Sequence, residues 1–223
     1  FLSVLERRKS GEPAQYIARS AAFYGLDLYV DERVLIPRQD TEALCERALA
    51  HVRPGSRVLD LCCGSGCLAI SVKLAQPEGL VFAGDISEAA ISLTWRNAQR
   101  LGAEINIRRG DLFAPFLGLR FDVILSNPPY IPARDMDTLQ EEVKKEPALA
   151  LEAGPDGLDF YRRIIAKSTE YLLPGGHLLL ELGDHQAEAV SALVPPMFSR
   201  PIIHNDLSGL PRVLETRYRE GVS

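Results

Sequence analysis

Arg57-Val58-Leu59-Asp60-Leu61-Cys62-Cys63-Gly64-Ser65-Gly66 is the stretch whose reading decides the fold. Val58 to Leu61 is a short apolar strand, and the turn that ends it leads into a helix running to about Ala75. Gly64 and Gly66 permit a tight turn and a close approach of backbone to a ligand. From this point strands and helices alternate. Leu80–Asp85, Ile105–Arg109, Phe121–Ser126 and His177–Leu182 read as further strands, with helices from Ser87 to Leu101 and from Leu158 to Leu172. Pro174-Gly175-Gly176 reads as a turn, and Gln186 to Leu193 as a last helix. Two strands near Ser199–His204 and Arg212–Tyr218 have no helix between them and form an antiparallel edge. The pattern predicts an α/β fold, a mostly parallel sheet covered on both faces.

Upstream, Leu2 to Lys9 ends a helix before the breaker Ser10-Gly11-Glu12-Pro13. Phe23–Val30 alternates as a strand, and Arg33–Pro37 is its expected hairpin partner. Thr41 is placed to cap a helix through about Val52. Arg38, Asp40 and Glu42 read as a solvated helix start, Glu142 to Glu146 as a solvated helix, and Trp95 as packing.

Ligands of open α/β sheets bind outside the carboxyl ends of the strands. Asp85 closes the second strand of the alternating region, nineteen residues beyond Gly66, where a carboxylate can accept both hydroxyls of a ribose. Asp60 lies inside the first strand, able to tether the loop or a ligand amino group, and Asp111 ends the third, within reach of an adenine amino group. Each carboxylate taken singly reads equally well as a cap or turn residue. Gly64-Ser65-Gly66-Cys67-Leu68-Ala69 fits a relaxed dinucleotide fingerprint, so a nicotinamide dehydrogenase and a non-catalytic nucleoside-binding module are rivals. Three carboxylates on successive strand ends suit a cationic, phosphate-free nucleoside better, and S-adenosylmethionine has that chemistry.

The fourth strand ends in Ser126-Asn127-Pro128-Pro129-Tyr130. Prolines stop the strand and remove two backbone donors, leaving an amide and outward-facing carbonyls at a strand tip. Such a tip accepts N–H donors.

The composition is 46% hydrophobic and 25% charged, with a net charge of −5. An acidic balance does not favour phosphate-driven binding to nucleic acid. No apolar run approaches the roughly 18 to 20 residues of a membrane span, and the start lacks the order of a signal peptide. Cys45, Cys62, Cys63 and Cys67 match no usual zinc spacing, with no histidine near in sequence. They read as small residues around a turn in a reducing compartment, and no metal is expected there.

The combination of DLCCGSG (60–66), Asp85, GDLF (110–113) and SNPPYI (126–131) resembles class I S-adenosylmethionine-dependent methyltransferases that modify planar nitrogen. Further segments resemble the bacterial peptide-chain release factor glutamine N5-methyltransferases, the HemK/PrmC family. These are Arg7-Arg8 with Gly11-Glu12-Pro13 and Tyr16-Ile17, LIPRQDTE (35–42), NAQRLG (97–102), EPALAL (146–151), GPDGLDFYRRII (154–165), ELGDHQ (181–186) and DLSGLPRV (206–213). The match covers almost the whole chain in order. Gln39 stands where the family usually has Pro, and Cys62-Cys63 where it has Gly-Thr.

The resemblance implies a Rossmann-like, mostly parallel seven-stranded sheet with an antiparallel edge strand, preceded by a β-hairpin. It implies residues 1–20 as the remnant of an N-terminal helical recognition domain and linker, 21–52 as hairpin and connecting helix, and 53–223 as the methyltransferase domain. The expected cofactor contacts are Asp60, Cys62, Cys63, Gly64, Ser65, Gly66, Asp85, Asp111, Leu112 and Asn127. Asn127 and Pro128 would accept the two hydrogens of a glutamine amide, with Pro129 and Tyr130 completing the substrate wall. The implied reaction is methylation of the glutamine of the Gly-Gly-Gln motif in release factors, in the cytoplasm. A ribosomal-protein glutamine methyltransferase and an adenine-N6 methyltransferase acting on DNA or RNA are the alternatives. ELGDHQ and NAQRLG favour the release-factor branch. The chain shows no basic, aromatic-interleaved segment of the kind that grips a nucleic acid and takes a base out of its stack.

Overall fold

The computed structural model describes residues 2–219. In chain order the elements are α1 (Leu2–Lys9), α2 (Ala14–Ala18), β1 (Ala21–Phe23), β2 (Leu26–Leu28) and α3 (Glu42–Leu49). There follow β3 (Arg57–Leu61), α4 (Cys67–Ala75), β4 (Leu80–Asp85), α5 (Glu88–Leu101), β5 (Asn106–Arg109) and β6 (Phe121–Ser126). The chain continues through α6 (Asp159–Tyr171), β7 (Leu172–Glu181), α7 (Ala187–Ala192), β8 (Ile202–Asn205) and β9 (Pro211–Arg217). The seven-stranded sheet has the order β5-β4-β3-β6-β7-β9-β8, and β9 runs antiparallel to both its neighbours. The mostly parallel sheet and its antiparallel edge are those read from the sequence. Strand order reverses between β3 and β6, so the crevice of an open α/β sheet lies beyond the ends of these two strands.

Alternation along the strands divides the core into two. Val58 of β3 with Val123 and Leu125 of β6 face one side, where they meet Leu44, Cys45 and Ala48 of α3 and Leu68, Ala69 and Val72 of α4. Leu59 and Leu61 with Ile124 face the other, packed against Phe113, Phe116 and Tyr161, Ile164 and Ile165 of α6. All of these side chains are buried, each a contribution of roughly 1.5–3 kcal/mol for the larger aliphatics. A third cluster holds the N-terminal segment to α5, with Tyr16, Val30, Val34 and Ile36 against Ala90 and Leu93. Ser87 caps α5, its Oγ accepting from the Ala90 N–H at 3.2 Å.

The hairpin differs from the sequence expectation. Its turn is Tyr24-Gly25, both at positive φ (49° and 75°), so β1 pairs with β2 rather than with Arg33–Pro37. The backbone groups that the longer hairpin would have used are held by distant side chains. Asn97 takes both the N–H (2.8 Å) and the carbonyl (3.0 Å) of Tyr29. Tyr16 donates to the Val34 carbonyl at 2.6 Å, and the Ile36 N–H donates to Glu146 at 2.9 Å. Glu146 is therefore buried and also paired with Arg38, not solvated.

Four smaller expectations also give way. Thr41 lies inside a 3-10 turn (Gln39–Thr41) and caps nothing; its hydroxyl points elsewhere. Glu42 accepts from the Tyr24 N–H at 2.8 Å rather than facing solvent. Pro174-Gly175-Gly176 is a bulge inside β7, where the pairing moves from Phe121–Leu172 to Val123–His177. Trp95 is half exposed instead of packed.

Candidate active site

The loop after β3 is bent by positive φ at Cys62 (60°), Gly64 (54°) and Gly66 (81°). Only at Gly66 does crowding add to conformation, since a Cβ there would sit 2.7 Å from Thr94 Cγ2 of α5. The loop is tied to its neighbours. The Cys63 N–H donates to the Gly84 carbonyl (3.0 Å) and the Gly64 N–H to Asp85 Oδ2 (3.0 Å), while the Thr94 hydroxyl donates to the Gly64 carbonyl (2.9 Å). Asn97 reaches the Ser65 carbonyl at 2.9 Å. Asp85 thus holds the loop with one oxygen and the Ser87 N–H with the other (2.9 Å), and burial pushes its carboxyl upward.

Asp60 is fully buried on the α4 side of the sheet. Its Oδ2 accepts from the Ala69 N–H at 3.1 Å, and Oδ1 has no partner among the described residues. Burial pushes this carboxyl up to about 8. Its position is that of a tether to the first turn of α4, not of a cavity wall.

A cavity of about 180 Å³ opens beyond β3, β4 and β6. Its floor is Cys62 and Gly64, and one side carries Asp85, Asp111 and Leu112. Asn127 and Pro129 form the end, with Arg33, Val34 and Leu35 opposite and Phe160 and Arg163 at the rim. Cys63, Ser65 and Gly66 lie behind this wall and shape it. Arg163 Nη2 donates to Asp111 Oδ2 at 2.5 Å, so one oxygen of the expected adenine acceptor is engaged by α6. Burial raises the thiols of Cys62, Cys63 and Cys67, which keeps all three neutral.

The tip of β6 borders the cavity. The Ser126 hydroxyl donates to the Leu61 carbonyl at 2.7 Å, and the Asn127 Nδ2 donates to Thr41 Oγ1 at 3.3 Å. Behind Thr41 stands Glu181, buried at the end of β7, with its Oε2 unpartnered among the described residues. Burial raises Glu181 to about 7, against the opposing pull of the nearby Thr41 hydroxyl and of Arg212. Pro128 and Pro129 are buried. Tyr130 lies against Gly183, where a Cβ would come within 2.8 Å of its ring, and burial raises its phenol. Gln186 Nε2 donates to the Tyr130 carbonyl at 2.9 Å. The chain then returns along residues 151–153 through the Ile131 N–H to Leu151 and the Ala153 N–H to Ile131, both 2.9 Å.

Residues 39–154 match the family described as methyltransferase small domain. A release factor glutamine methyltransferase of Geobacter sulfurreducens is 45% identical over 220 residues, which are 96% of this chain and 76% of that protein. The chain belongs to the release factor glutamine methyltransferase family. A ribosomal protein uL3 glutamine methyltransferase of Bradyrhizobium diazoefficiens is 40% identical over 80% of this chain and 60% of its own length. The same fold occurs in the T. thermophilus 16S rRNA N2 G1207 methyltransferase in complex with AdoMet and guanosine. That structure has TM-score 0.61 and 19% identity, over 90% of this chain and 50% of that one.

In this release factor glutamine methyltransferase family member, the structure brings Cys62, Gly64, Asp85, Asp111, Leu112, Asn127 and Pro129 to one cavity. It adds residues that strand ends alone do not reveal, namely Val34, Phe160, Arg163, Thr41 and Glu181. The segments LIPRQDTE and GPDGLDFYRRII supply three of these, so their resemblance to the family was the available signal.

Proposed function

We propose that the chain methylates the side-chain amide nitrogen of the glutamine in the Gly-Gly-Gln motif of peptide-chain release factors, using S-adenosylmethionine. The observation that carries this reading is the cavity that ends on Asn127, whose amide is oriented by Thr41. The cavity chemistry fits the cofactor. Asp85 offers carboxylate oxygens for ribose hydroxyls, Leu112 and Phe160 offer apolar faces for a planar base, and Cys62 and Gly64 line the floor with uncharged groups. Asp111 and the backbone of Leu112, both on the cavity wall, would offer an adenine edge its acceptor and donor. When bound, the cofactor supplies a methyl group made electrophilic by a sulfonium.

The chain's own contribution is alignment. A glutamine amide nitrogen is a weak nucleophile because its lone pair is delocalised into the carbonyl. Asn127 Nδ2 is committed to Thr41, so Oδ1 is the atom left to accept from substrate, together with the Pro128 carbonyl. Two acceptors on the two N–H bonds aim the nitrogen and favour the positive charge that develops on it. Tyr130 and Pro129 supply the wall against the amide plane. Asp60 acts on the loop, through Ala69, rather than on the cofactor.

A ribosomal-protein glutamine is the second reading, favoured by the uL3 relative. Adenine is the third, and the net charge of −5 argues against it. Residues 1–20 are read as the end of a release-factor-recognising part, and the working compartment as the cytoplasm. No helix among the described residues is long and apolar enough to cross a membrane.

Calorimetric titration with S-adenosylmethionine and with NAD tests the cofactor reading. Stoichiometric binding of the first, weakened at least tenfold by Asp85→Ala, is expected. Binding of NAD alone would overturn it. Competition between a release factor and the uL3 protein for limiting enzyme then separates the two glutamine substrates, with the release factor expected to be modified first.

A further inference from the structure

Three of the chain's four histidines converge on one carboxylate far from the cavity. His51 follows α3, His177 is in β7, His204 in β8 and Glu215 in β9. His51 Nε2 lies 2.8 Å and His177 Nδ1 3.7 Å from Glu215 Oε1. The two rings stack with centroids 3.6 Å apart at 16°. The other oxygen, Oε2, receives Arg47 Nη2 at 2.9 Å and His204 Nε2 at 2.8 Å.

We propose that His51 Nε2, His177 Nδ1 and Glu215 Oε1 form a binding site for a divalent transition metal, zinc in the first instance. The three ligand atoms lie within 4.8 Å of one another. Tetrahedral bonds of about 2.0–2.2 Å place ligands roughly 3.3 Å apart, and because a ring nitrogen's lone pair lies in its ring plane, the part-exposed His51 imidazole turns out of its stack on His177 for both nitrogens to face one ion. His177 Nδ1 is buried and has no hydrogen-bond partner among the described residues. A buried ring nitrogen without a partner is costly, and a metal bond would satisfy it. Two imidazoles and one carboxylate select zinc, copper or nickel over magnesium or calcium.

The surroundings fit an entry path and a supported ligand set. A cavity of about 510 Å³ reaches His177 and Glu215 along β9, leaving a fourth position open to water. Arg47 and His204 fix the carboxylate by its other oxygen, the outer-sphere support that orients a ligand. Arg47 also opposes the metal's charge, so the site is tunable through that residue. Bound metal would join the end of α3 to β7 and β9. His177 and Glu181 are four residues apart in β7, about 13 Å along the strand, so the site is separate from the Asn127 end of the sheet.

Protein stripped with a chelator and desalted is titrated with Zn(II) by calorimetry and with Co(II) by visible absorption, with thermal unfolding followed in parallel. One equivalent should bind, raise the unfolding temperature and give Co(II) ligand-field bands with no thiolate charge-transfer band. That last feature separates this site from the four cysteines. His51→Asn and His177→Ala should each weaken Zn(II) by about tenfold or more, and Arg47→Gln should tighten it. His51 is one-fifth exposed beyond the end of α3, so its variant carries the test if His177→Ala fails to fold. No stoichiometric binding, a thiolate band, or affinity unchanged in His51→Asn would overturn the proposal.

Discussion

Asn127 Nδ2 donates to Thr41 Oγ1 across 3.3 Å, joining the tip of β6 to the residue that precedes α3. A hydroxyl has one proton. With the Asn127 amide donating to it, Thr41 Oγ1 is the acceptor and its own proton points away from Asn127. That choice turns the amide of Asn127 so that Nδ2 faces Thr41, and Oδ1 is the atom presented to a substrate N–H.

Thr41→Val removes this restraint without touching the cavity wall. A lost hydrogen bond of about 1 kcal/mol that acts on alignment lowers kcat by roughly 5- to 10-fold. The cofactor Kd should stay at its wild-type value and Thr41→Ser should restore most of the rate. A Thr41→Val variant with wild-type kcat would show that Asn127 orients itself.

Glu181, raised to about 7 by burial, titrates near neutral pH. Ionised, its negative charge draws the Thr41 hydroxyl proton toward itself and leaves the oxygen lone pairs to Asn127; protonated, it loses that pull and the amide of Asn127 is free to turn. The single-turnover rate should therefore fall as pH drops through about 7, with most of the change within roughly one unit either side. Glu181→Gln should remove that inflection, which a pH series on both proteins would show.

Asp60 makes a stability prediction with a definite sign. Its carboxyl sits at about 8 in the folded protein against 3.8 when exposed, so between these values the folded state holds a proton that the unfolded state has lost. Stability is thus fully present below the lower value and declines as pH rises through the higher one. Urea denaturation between pH 4 and 9 (roughly spanning both values) should show the decline. Asp60→Asn should flatten it while keeping an acceptor for the Ala69 N–H.

Gly66→Ala combines a left-handed φ of 81° with a Cβ only 2.7 Å from Thr94 Cγ2. The expected loss is about 1–3 kcal/mol of stability. Thr94→Ser, which deletes the opposing methyl and keeps the hydroxyl bonded to the Gly64 carbonyl, should recover part of it in the double variant. Additive losses in the two single variants and the double would place the strain elsewhere.

Much of the site was legible because its signals are local. An apolar run meeting Cys62-Cys63-Gly64, another closed by Asp85 and a third stopped by Pro128-Pro129 each announce a strand end, and parallel pairing brings those ends together. The segment from Tyr29 to Arg38 was misread for the opposite reason. Its backbone is satisfied by Asn97, Glu146 and Tyr16, whose side chains reach it from 18 to 110 residues away. No short-range pattern encodes such partners. Arg163 beside Asp111 and Glu181 behind Thr41 are of the same kind, side chains that only tertiary packing brings to the crevice.

The most direct measurement is transfer of a labelled methyl group from S-adenosylmethionine to a release factor, beside the same factor with its Gly-Gly-Gln glutamine changed to alanine and beside DNA. Label should appear on the glutamine side-chain amide alone, and Asn127→Ala should slow it by about 100- to 1000-fold with cofactor binding intact. Label on DNA or on the alanine control, or a near-normal rate in Asn127→Ala, would contradict the account.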